Sequence, residues 1–122
     1  MKTKLFILFW VLISSCTTKD NCENNPSGLS YEQHIRPMVE QNCLGSGCHQ
    51  GGVPAGGLNL SDTSSYSQLL SQGSGYVKPG NSGGSLLYIQ LISKDNPMPP
   101  SGNLGSCELE LVKTWIDQGG VK

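Results

Sequence analysis

Two cysteines four residues apart, with a histidine directly after the second, are the residues of this chain best suited to chemistry: Cys43-Leu44-Gly45-Ser46-Gly47-Cys48-His49. Paired thiols backed by an imidazole suit covalent attachment of haem, each thiol bonding a vinyl group at the porphyrin edge and the imidazole lying under the iron. The usual spacing between the thiols is about two residues. Four make a longer arc, which works when the extra residues loop outward, and Gly45 and Gly47 are the residue type that allows it. Taken alone, the heptapeptide reads equally well as a short Cys43–Cys48 disulfide with His49 exposed beside it. Zinc fits less well, because it takes four ligands and only Cys43, Cys48, His49 and His34 are at hand.

Met98 is the next candidate, set in Asn96-Pro97-Met98-Pro99-Pro100. A thioether is a soft ligand that suits haem iron, and His/Met ligation raises the reduction potential relative to His alone. The commoner fate of a methionine is to fill gaps in a core. Flanking prolines and distance from any apolar stripe favour ligation for Met98. Met38 is the reverse case, sharing a helix face with Ile35 and Val39, and reads as core. His34, among polar neighbours, reads as a solvated histidine rather than a second axial ligand.

The elements that must position these groups are helical. Ser30 with Gln33 three residues on matches a capping box, and Tyr31, Ile35, Met38 and Val39 follow at helical spacing to about Gln41, with Pro37 kinking or restarting the helix. Residues 44–57 are Gly-rich loop. A short helix is expected over 64–71, with Asp62 or Thr63 as cap, and a third over 82–93, where Leu86, Leu87, Ile89, Leu91 and Ile92 cluster. The prolines at 97, 99 and 100 make that segment extended. A last helix starts at Gly105 or Ser106, buries Leu111, Val112, Trp115 and Ile116, and stops at Gly119-Gly120. Trp115 and Tyr88 are expected to pack on the haem or on the first helix.

Ahead of these elements, Lys2 and Lys4 precede the apolar run Leu5 to Ile13, which suits an export signal and is too short to span a bilayer. Ile13-Ser14-Ser15-Cys16 resembles the lipobox of bacterial lipoproteins, and that resemblance implies a lipid on Cys16. Residues 1–15 are then a signal, 16–29 a lipidated polar tether, and 30–122 one small domain with a thin core. Without Lys2 and Lys4, six basic residues face nine acidic ones, a net charge near −3 that argues against nucleic acid as a partner.

The rest of the chain resembles a family of bacterial c-type cytochrome domains. The residues that carry the likeness are Ile35-Arg36-Pro37, Cys48-His49-Gln50-Gly51, Gly57-Leu58-Asn59-Leu60, Tyr66-Ser67-Gln68-Leu69 and Val77-Lys78-Pro79-Gly80. It continues in Ser85-Leu86-Leu87-Tyr88, Met98-Pro99-Pro100 and Trp115-Ile116-Asp117-Gln118-Gly119. The resemblance implies an all-α, class-I-like cytochrome c fold, about four helices around one haem c with long Gly/Pro-rich loops. It also implies a haem held by Cys43, Cys48, His49 and Met98, with His49 and Met98 as iron ligands. The expected function is electron transfer between redox partner proteins, by an exported protein held to a membrane through its lipid, and not an enzymatic reaction. The alternatives are a haem-free, disulfide-stapled surface lipoprotein acting as a binding module, and a haem enzyme of peroxidase type. With two thiols committed to haem and Cys16 to lipid, counting leaves Cys22 and Cys107 as a disulfide pair, worth about 4 kcal/mol for a loop of this length.

Overall fold

The computed structural model describes residues 27–102 and 104–122, and among them the chain is all-α, with four α-helices and no strand. The expected signal at 1–15, the lipidation at Cys16 and the pairing of Cys22 fall outside the described residues; Cys107 itself is disulfide-bonded. No described helix is long and apolar enough to cross a membrane.

Helix formation begins at Ser30, whose hydroxyl accepts the Gln33 N–H at 3.4 Å. The first turn, Tyr31–Ile35, is wound as a π-helix and runs directly into α1, Arg36–Asn42. Pro37 accounts for the change of winding. It has no N–H to donate, and in a regular α-helix its ring would press on the carbonyl four residues back. The wider turn, closed by the Arg36 N–H on the Tyr31 carbonyl, puts Pro37 in the first turn of α1, where a missing donor costs least.

Helix α2, Ser65–Leu69, is shorter than the periodicity suggests; Asp62 Oδ1 accepts the Ser64 N–H at 2.8 Å and sets its start. The single helix expected over 82–93 is divided. A 3₁₀ turn, Ser82–Gly84, comes first, and α3, Leu86–Ile92, follows an extended Ser85. Asn81 Oδ1 closes the turn on the Gly84 N–H at 2.9 Å, and a Cβ at residue 84 would sit 2.6 Å from Asn81 Nδ2, so any larger residue would push this amide aside. Ser85, fully buried, then ties the turn to the preceding loop: its Oγ donates to the Asn81 carbonyl at 2.7 Å and accepts the Lys78 N–H at 2.8 Å.

Helix α4, Ser106–Asp117, is the centre of the domain. Gly105 has no side chain, so only half of a capping box forms, with Glu108 Oε2 accepting the Gly105 N–H at 2.9 Å. At the other end the Gly120 N–H reaches the Trp115 carbonyl and the Gly119 N–H the Ile116 carbonyl, both at 2.9 Å, the two bonds of a Schellman motif. Gly119, at the position where that motif needs a positive φ, has φ of 108°, and Gly120 follows with 63°. Val112, Trp115 and Ile116 are buried completely, and Leu111 only partly. Trp115 packs on Tyr31 with ring centroids 5.8 Å apart, and its Nε1 donates to the Val121 carbonyl at 2.8 Å, so it stands against the first helical turn. The same carbonyl accepts the Tyr31 N–H at 2.8 Å, and Tyr66 Oη donates to the Gly120 carbonyl at 3.0 Å. Met38 is buried with Ile35 and Val39.

Asp117 anchors the 3₁₀ turn to α4. It accepts Lys113 Nζ at 2.9 Å, the Ser82 N–H at 2.9 Å and Ser82 Oγ at 3.1 Å. The Lys113 ammonium first, and then the two Ser82 bonds, hold its carboxyl below the usual range. A depressed folded-state pKa gives stability that is present above the unfolded value of about 3.9 and is lost as pH falls through the folded value. The side chain is 37% exposed, so solvent screening limits the expected loss in Asp117→Asn to about 1 kcal/mol at neutral pH. Thermal melts across pH check this: the gap between wild type and variant is full near pH 6 and closes in acid.

Candidate functional site

The Cys43–His49 loop leaves the end of α1. The Cys43 N–H still donates to the Val39 carbonyl at 2.8 Å, and the His49 N–H returns to the Cys43 carbonyl at 3.2 Å, so the loop closes on itself. Ser46 and Gly47 are exposed, and Gly47, with φ of 75°, turns the chain at the rim of the pocket that it helps to line. A Cβ on Gly45 would lie 3.2 Å from Cys48 Sγ, a tight approach that favours glycine there. Neither Cys43 nor Cys48 is in a disulfide, which sets aside their direct pairing.

His49 is held through both its main chain and its ring. Its carbonyl accepts the Leu60 N–H at 2.8 Å, and its Nδ1 lies 3.1 Å from the Leu58 carbonyl. A carbonyl only accepts, so Nδ1 carries the proton and Nε2 keeps its lone pair for an electrophile or a metal. A ligating histidine is commonly oriented through its other nitrogen in this way. The Gly57-Leu58-Asn59-Leu60 segment therefore does more than lead out of the loop: it fixes the tautomer of His49.

Cys43, Cys48 and His49 line one open pocket with a volume of about 170 Å³, and Met98, Pro99 and Pro100 line it as well. Helix α3 contributes Leu86, Leu87, Gln90 and Leu91, and the lining surface is almost entirely apolar. Met98 is tied to α3 by its N–H, which donates to the Gln90 carbonyl at 3.1 Å. Asn42, at the end of α1, donates through Nδ2 to the Met38 carbonyl at 2.9 Å and to Glu108 Oε1 at 3.4 Å, joining α1 to the start of α4 beside the pocket. His34 is not part of this site; its Nδ1 lies 3.1 Å from the Ser30 amide nitrogen, a local contact at the helix start.

Burial pushes the Cys43 thiol up to about 11, with Cys48 and Glu108 adding to the shift, so at neutral pH it is an uncharged thiol. The donors are spread rather than convergent: among the described residues no three His, Cys, Asp or Glu side chains gather so as to hold one metal ion. A tetrahedral zinc site needs that convergence. Two thiols set along a loop, an imidazole with its Nε2 free and a thioether, in an otherwise apolar lining, suit instead a flat apolar group carrying its own metal.

Among the polar residues of the pocket, sequence reasoning missed Asn42, Tyr76 and Gln90. Tyr76 leaves no local signal, since it stands in a loop and comes to the pocket only through folding; its hydroxyl donates to the Gly56 carbonyl at 3.4 Å. Gln90 leaves one: it is the lone polar residue between Ile89 and Leu91 in an apolar helix. Tyr88, by contrast, packs against the core without lining the pocket. No protein-family model, no curated protein and no solved structure matches this chain.

Proposed function

We propose that this chain is a single-haem c-type cytochrome of class-I-like fold that passes electrons between redox partner proteins. The observation that carries the reading is the joining of Cys43, Cys48, His49 and Met98 in one apolar pocket, with the free Nε2 of His49 made available by the Leu58 hydrogen bond. Haem iron supplies one-electron chemistry when bound. Cys43 and Cys48 would hold the porphyrin through thioethers, with the exposed Ser46 taking up part of the length of the spacing. His49, through Nε2, and Met98, through its sulphur, would ligate the iron, and a protein whose iron is held by both would serve as a carrier rather than an enzyme. Leu58, Leu60, Leu87 and Leu91 exclude water. The lipid on Cys16 keeps the domain at a membrane surface on the exported side, where it meets its partners.

A denaturing gel stained for haem peroxidase activity, with a pyridine haemochrome spectrum, tests this on the full chain exported by a host that has c-type haem maturation. A haem signal that survives denaturation and disappears in a Cys43→Ser, Cys48→Ser double variant is expected. A colourless wild-type protein overturns the proposal.

A further inference from the structure

Polar side chains in the pocket are few, and, apart from the two thiols and His49 Nε2, which the haem reading assigns to the haem, all but one make a side-chain hydrogen bond. His49 Nδ1 is on the Leu58 carbonyl, Tyr76 Oη on the Gly56 carbonyl, and Asn42 Nδ2 on Met38 and Glu108. The exception is Gln90. Its Oε1 is buried and has no hydrogen-bond partner, the sole such side-chain atom among the described residues. A buried polar atom without a partner costs about 1–3 kcal/mol, and folded proteins rarely leave one without reason. Here it stands on the pocket-facing side of α3, in a run where leucine would fill the space at no such cost.

We infer that the Gln90 amide is a hydrogen-bonding group for a carboxylate of the molecule that fills the pocket; resting on the haem reading above, that carboxylate is a haem propionate. A terminal amide turns about its last bond with little hindrance, presenting either its acceptor or its two donors at the same place. No Lys or Arg lines the pocket, and its ionisable side chains are Cys43, Cys48, His49 and Tyr76. A carboxylate drawn inside the mouth therefore finds no cation, and Gln90 is the one amide or hydroxyl side chain of the lining with a buried, partnerless atom. Donation from Nε2 favours the ionised carboxylate and lowers its pKa.

The test is the pH dependence of the reduction potential of the haem-loaded full chain, in wild type, Gln90→Leu and Gln90→Glu. Ionisation of a propionate adds negative charge beside the iron, so the potential falls as pH rises through the propionate pKa. Without the amide, Gln90→Leu moves that fall upward by about one pH unit, and Gln90→Glu, which sets a carboxylate against the propionate, moves it at least as far. Haem staining of each variant shows whether the haem is attached. A wild-type protein without covalent haem defeats the proposed function itself. Attached haem with superimposable pH profiles in all three proteins defeats only the role of Gln90. So does an unmoved profile with a changed axial-ligand spectrum, which assigns the amide to Met98 instead.

Discussion

Replacing Met98 by alanine is expected to leave haem covalently attached while lowering the reduction potential by a substantial part of the roughly 0.8 V that axial ligands command. The expectation follows from how the segment is held. Its main chain is bound to α3 through the Met98 N–H on Gln90 at 3.1 Å and stiffened by Pro97 and Pro99, so loss of the side chain removes the sulphur without moving the backbone. A thioether favours the reduced iron, so its removal lowers the potential. The vacated position then admits small ligands, and the reduced variant should bind carbon monoxide rapidly where the wild type does so slowly. Potentiometry with optical spectra checks both effects. An unchanged potential together with an unchanged spectrum would remove Met98 from the iron and return it to the commoner role of a packing methionine.

The second large effect is structural. Trp115→Ala should lower stability by about 3–5 kcal/mol, the usual cost of deleting a fully buried large aromatic. Trp115 is 0% exposed, packs on Tyr31, and donates to the Val121 carbonyl, which also accepts the Tyr31 N–H. The substitution therefore opens a cavity between α4 and the first helical turn and loosens the tail that closes over both. Domains of this size have only about 5–15 kcal/mol in total. Urea unfolding of the haem-loaded chain followed by far-ultraviolet circular dichroism reads the change as a large fall in midpoint. A shift equivalent to less than about 1 kcal/mol, within the range of ordinary surface substitutions, would contradict the burial seen here.

The two substitutions differ in what they disturb, and that difference separates function from fold. Met98 is half-buried at the pocket and far in sequence from the loop that carries the thiols, whereas Trp115 does not line the pocket at all. A lowered unfolding midpoint with little change of potential in Trp115→Ala, against a lowered potential with little change of midpoint in Met98→Ala, is the pattern expected if Trp115 serves the core and Met98 the electronics of the pocket.

Much of the architecture is local, and local information is legible in a sequence. The capping of the first helix by Ser30, the placement of Pro37 at a change of winding and the glycine stop after α4 each depend on residues within a turn or two of one another. Their causes are backbone donors, fixed φ and positive φ, which a residue type declares by itself. The segment around Met98, expected to be extended, is instead a run of bends leading into a turn in which the Gly102 N–H meets the Pro99 carbonyl at 3.2 Å. The division of residues 82–93 into a 3₁₀ turn and α3 was less visible, because the apolar residues kept helical spacing while Asn81, Gly84 and Ser85 made contacts that periodicity does not record.

By itself the sequence determined the helical class, the positions of the helices, and which residue types are capable of holding haem: Cys43, Cys48, His49 and Met98. Only the tertiary structure decided that these belong to one pocket, that the His49 proton sits on Nδ1, that Trp115 faces Tyr31, and that Gln90 turns a partnerless oxygen inward. The reason is physical. Most of those facts rest on contacts between segments far apart along the chain, such as Asn42 with Glu108 of α4 or Tyr31 with Trp115, and they arise when burial of apolar surface brings segments together and backbone carbonyls take whichever donor arrives.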